Sequence, residues 1–228
     1  MRAMSTALRT ALASVAAGVL MTGCSGGSGG SGAEGPSARQ LLRDANATMR
    51  TLTSVTIDSD GTSAVRLRTD LKDRCANRTS FKGGGVLDQI RIGAVDYVRP
   101  DSACLKKSGH TPGGSYGRGH WVRTRAADAV PGDGLAACTW PFAEFGTASG
   151  TKEPVTVGGV RATPVTVTDP KDKDGTYTVS IAAQGKPYLL KVAYEGGGRR
   201  TTTSFSGFGA PLDVRAPAAS DIVDTSGA

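Results

Sequence analysis

From 38 to 52 the apolar positions fall at Leu41, Leu42, Ala45, Met49 and Leu52, the spacing of one helical face. Arg39, Arg43 and Asp44 lie off that stripe. Ser37 stands ahead of it as an N-cap, with Gln40 three residues on, as in a capping box. The spacing therefore predicts one amphipathic helix over about 38–52. Beyond Thr53 the period changes to two. Val55-Thr56-Ile57 opens a strand. Val65, Leu67, Thr69 and Leu71 then alternate with Arg66, Arg68 and Asp70, which predicts a half-buried strand with one wet face. Further strands are predicted at 74–81, 86–92 and 95–99, with glycines between them. Residues 155–157, Gly158-Gly159 and 160–168 read as a hairpin with a two-residue turn. Strands at 176–182, 188–194 and 201–208 complete the series, each bounded by Gly, Asp or Pro. Residues 100–150 break the pattern. They are rich in Gly and Pro, with short helices predicted near 126–130 and 135–145. After Pro211 the chain reads as an extended tail.

One helix, then a long antiparallel meander interrupted by an insert, is an α+β plan. The helix cannot bury its stripe alone, and the concave face of a strongly curved sheet is the place for it. After Cys24 the large hydrophobes Leu, Ile, Met, Phe, Trp and Tyr are few, sparse for a compact all-round core. A sheet with one wet face, or a domain built around a cavity, needs fewer.

The N-terminal pattern is different. Residues 1–9 carry Arg2 and Arg9 and no acid, and residues 10–20 are small, apolar and uncharged. A basic start and a short apolar middle form the layout of a secretory signal peptide. The run 10–23 is too short and too alanine-rich for a membrane span, which needs about 20 residues. A cytosolic helix here would need a polar face and a cap, and the segment has neither. Leu20-Met21-Thr22-Gly23-Cys24 resembles the bacterial lipobox, with Met21 where leucine is usual. That resemblance implies cleavage before Cys24, a diacylglycerol thioether on its sulfur, and a further acyl chain such as palmitate on the new amine. Two or more chains, at about 0.8 kcal/mol per buried methylene, hold a protein on a membrane. The Gly/Ser run from Ser25 to Pro36 is flexible coil reaching about 17–21 Å, a tether that lets a domain stand clear of the headgroups. The expected organisation is a signal peptide at 1–23, the lipidated cysteine and tether at 24–36, and one domain at 37–228. The expected location is the extracytoplasmic face of the cell membrane.

The whole chain carries a net charge of +7, and removing residues 1–23 lowers it by two. A basic domain beside an anionic membrane is drawn to that surface. Nucleic acid is the other usual partner of a basic chain. Export and the scattered placement of the charges exclude it. With Cys24 acylated, Cys75, Cys104 and Cys138 remain, enough for one disulfide and one spare thiol, with three pairings open. There is no CxxC, and His110 and His120 are the only histidines, so no metal-site spacing and no cofactor are expected.

Six stretches, taken in order, carry a likeness: "ARQLLRDANATMRTLTSVTID", "IRIGAVDYVRP", "GHWVRTR", "VTVGGVRATPVTVTD", "GKPYLLKVAYEGG" and "FSGFGAPLDVRAPAASDIVD". Together they resemble the actinobacterial LolA/LppX/LprG-like lipoproteins, over about 37–224. The resemblance implies an incomplete antiparallel β-barrel, with the long N-terminal helix and the helical and loop insert at about 100–150 covering the concave face above an apolar cavity. It implies a protein that carries or presents lipid, and it brings no catalytic residues. It further implies a Cys75–Cys138 disulfide with Cys104 free. The rival pairing, Cys104–Cys138, would staple the insert to itself. Cys104 takes a place that relatives more often give to a large aromatic, and the insert is unusually Gly-rich. The apolar positions assigned to the inner face, and so nominated to line a ligand cavity, are Leu42, Met49, Val65, Leu67, Ile90, Tyr97, Trp121, Phe145, Leu190 and Phe205.

Other motifs weigh less. Gly113-Gly-Ser115-Tyr-Gly117 matches G-x-S-x-G, with His120 near as a base. A nucleophile elbow needs a strand before it and a helix after it. Here Thr-Pro precedes and Arg-Gly-His-Trp follows, so a loop is the better reading. Asp169, Asp172 and Asp174 suggest calcium, but the spacing is not that of an EF-hand loop and two lysines intervene. A solvated hairpin turn ending in Asp-Gly is the better reading. Arg118-Gly-His120-Trp121-Val-Arg123 mixes base and aromatic, as a contact for anionic headgroups would. A tryptophan packed at the sheet rim among solvated arginines explains it as well. The reading reached is a non-enzymatic, membrane-anchored binder of a lipid or other apolar molecule. The alternative is an interaction module with a filled core that serves an envelope protein.

Overall fold

A computed structural model describes residues 36–109, 119–129, 134–142 and 146–224. Cys24, Ser115 and Phe145 lie outside the described residues. Helix α1 (Ala38–Arg50) starts where Ser37 accepts the Gln40 backbone N–H at 3.2 Å. The capping box is only half made. The Gln40 amide donates to Asp44 at 2.6 Å instead of turning back. The helix stops two residues short of the pattern, because Thr51 and Leu52 close it with backbone bonds to Thr48 and Met49.

The strands are β1 (Val55–Asp60), β2 (Ser63–Thr69), β3 (Arg74–Phe81), β4 (Val86–Ile92), β5 (Val95–Pro100), β6 (Trp121–Arg125), β7 (Thr147–Thr151), β8 (Val155–Val157), β9 (Val160–Asp169), β10 (Asp172–Ala182), β11 (Leu189–Gly196), β12 (Arg199–Ser206) and β13 (Ile222–Asp224). They form one large curved sheet in the order β13-β6-β5-β4-β3-β2-β1-β12-β11-β10-β9-β7, with β8 paired to β9. Every pair is antiparallel except β13 with β6. The path is open: no described pair joins β13 to β7. Register shifts within β10 and β7 mark bulges, which bend the strands. Gly158 and Gly159, at φ +55° and +82°, make the β8–β9 turn in the conformation whose twist suits a two-residue hairpin.

The insert is not only helix and loop. It contains helix α2 (Ser102–Lys107) and a short 3-10 turn at Gly134–Thr139, but it also contributes β6 and β7. In Trp121-Val-Arg-Thr-Arg125 the two adjacent apolar residues, Trp121 and Val122, are both buried, and both edges of the strand are taken, by β5 and β13. The tail is tied at several points. Ser54 donates to the Ala210 carbonyl, Arg74 donates to the Val214 carbonyl at 2.8 Å, and β13 pairs with β6.

Two different covers lie on the inner face, the face that carries Ile57, Leu67, Cys75, Val179 and Phe205. Over β7, β9, β10 and β11 lies α1, whose Leu42, Ala45 and Met49 join one core with Val165, Val167, Val179, Ile181 and Phe205. Over β2 to β4 lies the turn at Gly134–Thr139, and here the sheet is polar. Asn77, Thr79, Gln89 and Asp96 are buried. Asn77 donates to Gln89 at 3.1 Å, and the Arg91 guanidinium forks onto Asp96 with two bonds of 2.7 Å. Arg91 reaches the Leu135 carbonyl, Thr69 donates to the Cys138 carbonyl, and a Cys75–Cys138 disulfide with Cα atoms 5.5 Å apart closes the attachment. A side chain at Gly134 would collide with Asn77 and Gln89, so only glycine lets the turn lie this close. Cys104 is free and buried on α2. Burial first, and then the Asp101 charge, push its thiol up.

Candidate ligand cleft

Between α1, the Trp140–Phe142 segment and the inner face of β10 to β12 lies a cleft of about 450 Å³. That volume is within the range of small-molecule sites, about 300–1,000 Å³. Its walls are Trp140, Pro141, Phe142, Leu189, Val192 and Phe205. The strand residues are there by alternation: Val192 pairs across to Thr203 and Val179, on the face that holds the core. The aromatic wall is made by the insert. The Phe205 ring meets Trp140 edge-on at 6.3 Å and Phe142 at 5.8 Å. Arg50 of α1 holds that segment by donating to the Phe142 carbonyl at 3.0 Å.

Four polar residues reach the cleft: Asn46, Asp169, Tyr177 and Thr203. Asn46 lies on the buried face of α1 at 2% exposure, and its amide nitrogen has no hydrogen-bond partner among the described residues. The Tyr177 hydroxyl donates to Asp172 at 3.4 Å, and its ring stands 4.9 Å from that of Tyr194. Burial first, then the carboxylates of Asp172 and Asp169, push the Tyr177 phenol up. A hydrogen bond to Asp172 does the same for Tyr194. Both phenols therefore stay neutral and act as donors. The "DPKDKDG" stretch does not turn at Asp-Gly. Asp169 pairs with Asp172, the turn is Pro170-Lys171, and the Lys171 N–H donates to Asp169. Asp174 and Gly175 fall in the β10 bulge.

The nominated cavity residues divide. Phe205 lines the cleft, and Leu42, Met49 and Leu67 sit in the adjoining core. Val65 is on the same face, half-buried, away from the cleft walls. Ile90, Tyr97, Trp121 and Leu190 need correction, because register places them on the outer face. Ile90 pairs with Ala76 and Tyr97, while the inner positions of these strands are Gln89, Arg91 and Asp96. Leu190 packs with Ala162 and Ala182, its neighbour Leu189 having taken the inner place. Hydrophobicity misassigned them because both faces of this sheet are partly covered. Trp121, for one, is buried beneath the Arg99 guanidinium, 4.5 Å from the ring centre. The cleft residues missed were Asn46, the Trp140-Pro141-Phe142 wall, and Asp169, Tyr177, Leu189, Val192 and Thr203 on the strands. Asn46 had a signal: it is a polar residue on the stripe between Leu42 and Met49.

No protein family's sequence profile matches the chain, and no curated protein matches its sequence. Its fold has solved counterparts. LprF from Mycobacterium bovis matches with a TM-score of 0.55 at 12% identity, over 80% of this chain and 97% of LprF. The Mycobacterium tuberculosis lipoprotein LppX matches with a TM-score of 0.50 at 13% identity, over 78% of this chain and 98% of LppX. The chain has the fold of the actinobacterial LolA/LppX/LprG-like lipoproteins, the group its motifs resemble.

Proposed function

We propose that this protein is a membrane-anchored lipoprotein of the extracytoplasmic face, which binds or carries a lipid or another apolar molecule without transforming it. The observation that carries the reading is the cleft, with its aromatic and aliphatic walls and the buried Asn46 amide, whose nitrogen has no partner among the described residues. An unsatisfied buried donor costs about 1–3 kcal/mol. A carbonyl or ester oxygen of a ligand placed there removes that cost, and the walls take the ligand's apolar part. The fold shared with a lipoprotein supports the same reading. The organisation that goes with it is the signal peptide 1–23, acylation at Cys24, the tether to Pro36 and the binding domain from Ser37 onward. The anchor has its own test: Cys24→Ala removes the sulfur the thioether needs, so the variant leaves the detergent phase.

Native mass spectrometry of the protein purified from its own envelope tests the ligand. A bound lipid mass is expected, lost in Val192→Trp, which fills the cleft. A clean apo mass for the wild type rejects the carrier reading in favour of the interaction module.

A further inference from the structure

On the side of the sheet away from the cleft, β2 to β6 carry arginine after arginine. By register Arg66, Arg68, Arg78, Arg99, Arg123 and Arg125 all lie on this face, and Asp88 is the one carboxylate these strands add to it. Not one of the cations is lysine. Arg78 and Arg99 both hold Asp88, at 3.2 and 3.1 Å, and Arg66 holds Asp58 of β1 at 3.5 Å. These acids orient the guanidinium groups more than they cover them. The Arg66, Arg78 and Arg99 side chains stay 63%, 58% and 40% exposed, against 17% for Asp88. Arg99 is fixed further by lying on the Trp121 ring. A groove of about 330 Å³ runs among Arg66, Arg68, Arg78, Asp88, Arg99 and Trp121.

A wet sheet face that only has to stay soluble mixes both signs. This one is dominated by one sign: six arginines face Asp88, with Asp58 and Asp128 at the margins, where they pair Arg66 and Arg125. It is built from the side chain whose planar fork matches a phosphate oxygen pair, with the forks pre-set by a few shared acids. Strands stand about 4.8 Å apart, so the arginines of β2 to β6 spread over roughly 20 Å. That breadth suits a field of headgroups better than a single small anion. We propose that the outer face of β2–β6 docks on an anionic, phosphate-bearing membrane surface. This contact depends neither on a ligand in the cleft nor on acylation at Cys24.

The test uses the full chain throughout. Binding to vesicles of phosphatidylcholine alone is compared with binding to vesicles that also contain phosphatidylglycerol, and the ratio cancels whatever the N-terminal segment adds to both. Wild type is expected to prefer the anionic vesicles, and to lose that preference as salt rises. R66Q/R68Q/R78Q is expected to lose about a hundredfold of the preference, with an unchanged denaturation midpoint. The single change R68E, at an exposed side chain, should lower it in the same direction and guards against misfolding of the triple variant. A control that removes the same charge elsewhere, R43Q/K152Q/K186Q, should keep the preference. If the control falls as far as the triple variant, net charge alone acts and the proposal is overturned. Wild-type preference in both R68E and the triple variant overturns it as well. So does displacement by millimolar inorganic phosphate at constant ionic strength, which would mark a site for a free anion.

Discussion

Asn46 and Asp96 are both buried and polar, and they stand in opposite circumstances. The Asp96 carboxylate takes a two-pronged bond from Arg91. Removing one partner leaves the other charge buried, which costs about 3–5 kcal/mol. Asp96→Ala should therefore lower the unfolding free energy by that much in a urea titration, and a loss below 1 kcal/mol would mean water already reaches the pair. The Asn46 amide nitrogen has no such partner among the described residues. Asn46→Leu removes an unsatisfied donor at similar volume, so it should stabilise the ligand-free domain by about 1–2 kcal/mol. The same variant should bind less lipid. A destabilised Asn46→Leu would show that the amide is already satisfied. The two cases also differ in legibility. Asn46 interrupts an apolar stripe, which marks it in the sequence. Nothing local to Asp96 distinguishes it from the solvated aspartates, because its partner is chosen by the β4–β5 register.

At the scale of elements, the helix and most of the strands follow from period alone. Leu42, Ala45 and Met49 are buried and Arg43 is exposed, as a 3.6-residue repeat requires. Leu42→Asp should cost more than about 3 kcal/mol, through lost packing and an unpaired buried charge. Arg43→Asp should change stability by less than about 0.5 kcal/mol. Equal shifts in a denaturant melt would mean that α1 packs through another face. The strands hidden in the insert are the exception. Strands β6 and β7 are five residues each, set among Gly-rich loops, and too short for alternation to stand out. What makes them strands is the pairing edge that β5 and β9 offer.

At the scale of the whole molecule, the sheet is one surface with two unlike covers. Helix α1 is held by apolar contact, and the Gly134–Thr139 turn by Leu135 in the same core together with hydrogen bonds and the Cys75–Cys138 bridge. The bridge spans 63 residues, and on the chain-entropy estimate such a loop is worth about 4 kcal/mol. Cys138→Ser should lower stability by an amount of that order. It should also loosen the Trp140–Phe142 wall that follows, so ligand retention should fall with it. Retention at the wild-type level in a folded variant would mean that Arg50 alone positions the wall.

Local order was present in the sequence from the start. A helix stripe, an alternating strand and a Gly-Gly turn depend on neighbours a few residues away, and those neighbours are written side by side. The α+β plan followed from them. The tertiary structure alone decided which face of each strand turned inward. Alternation sorts residues into two sets without naming the inner one, and hydrophobicity named it wrongly wherever both faces were covered, at Ile90, Tyr97, Trp121 and Leu190. It also decided the cleft. Asn46, Tyr177 and Phe205 are far apart in the chain and meet only because β1 pairs with β12, a contact between segments nearly 150 residues apart that no local pattern encodes.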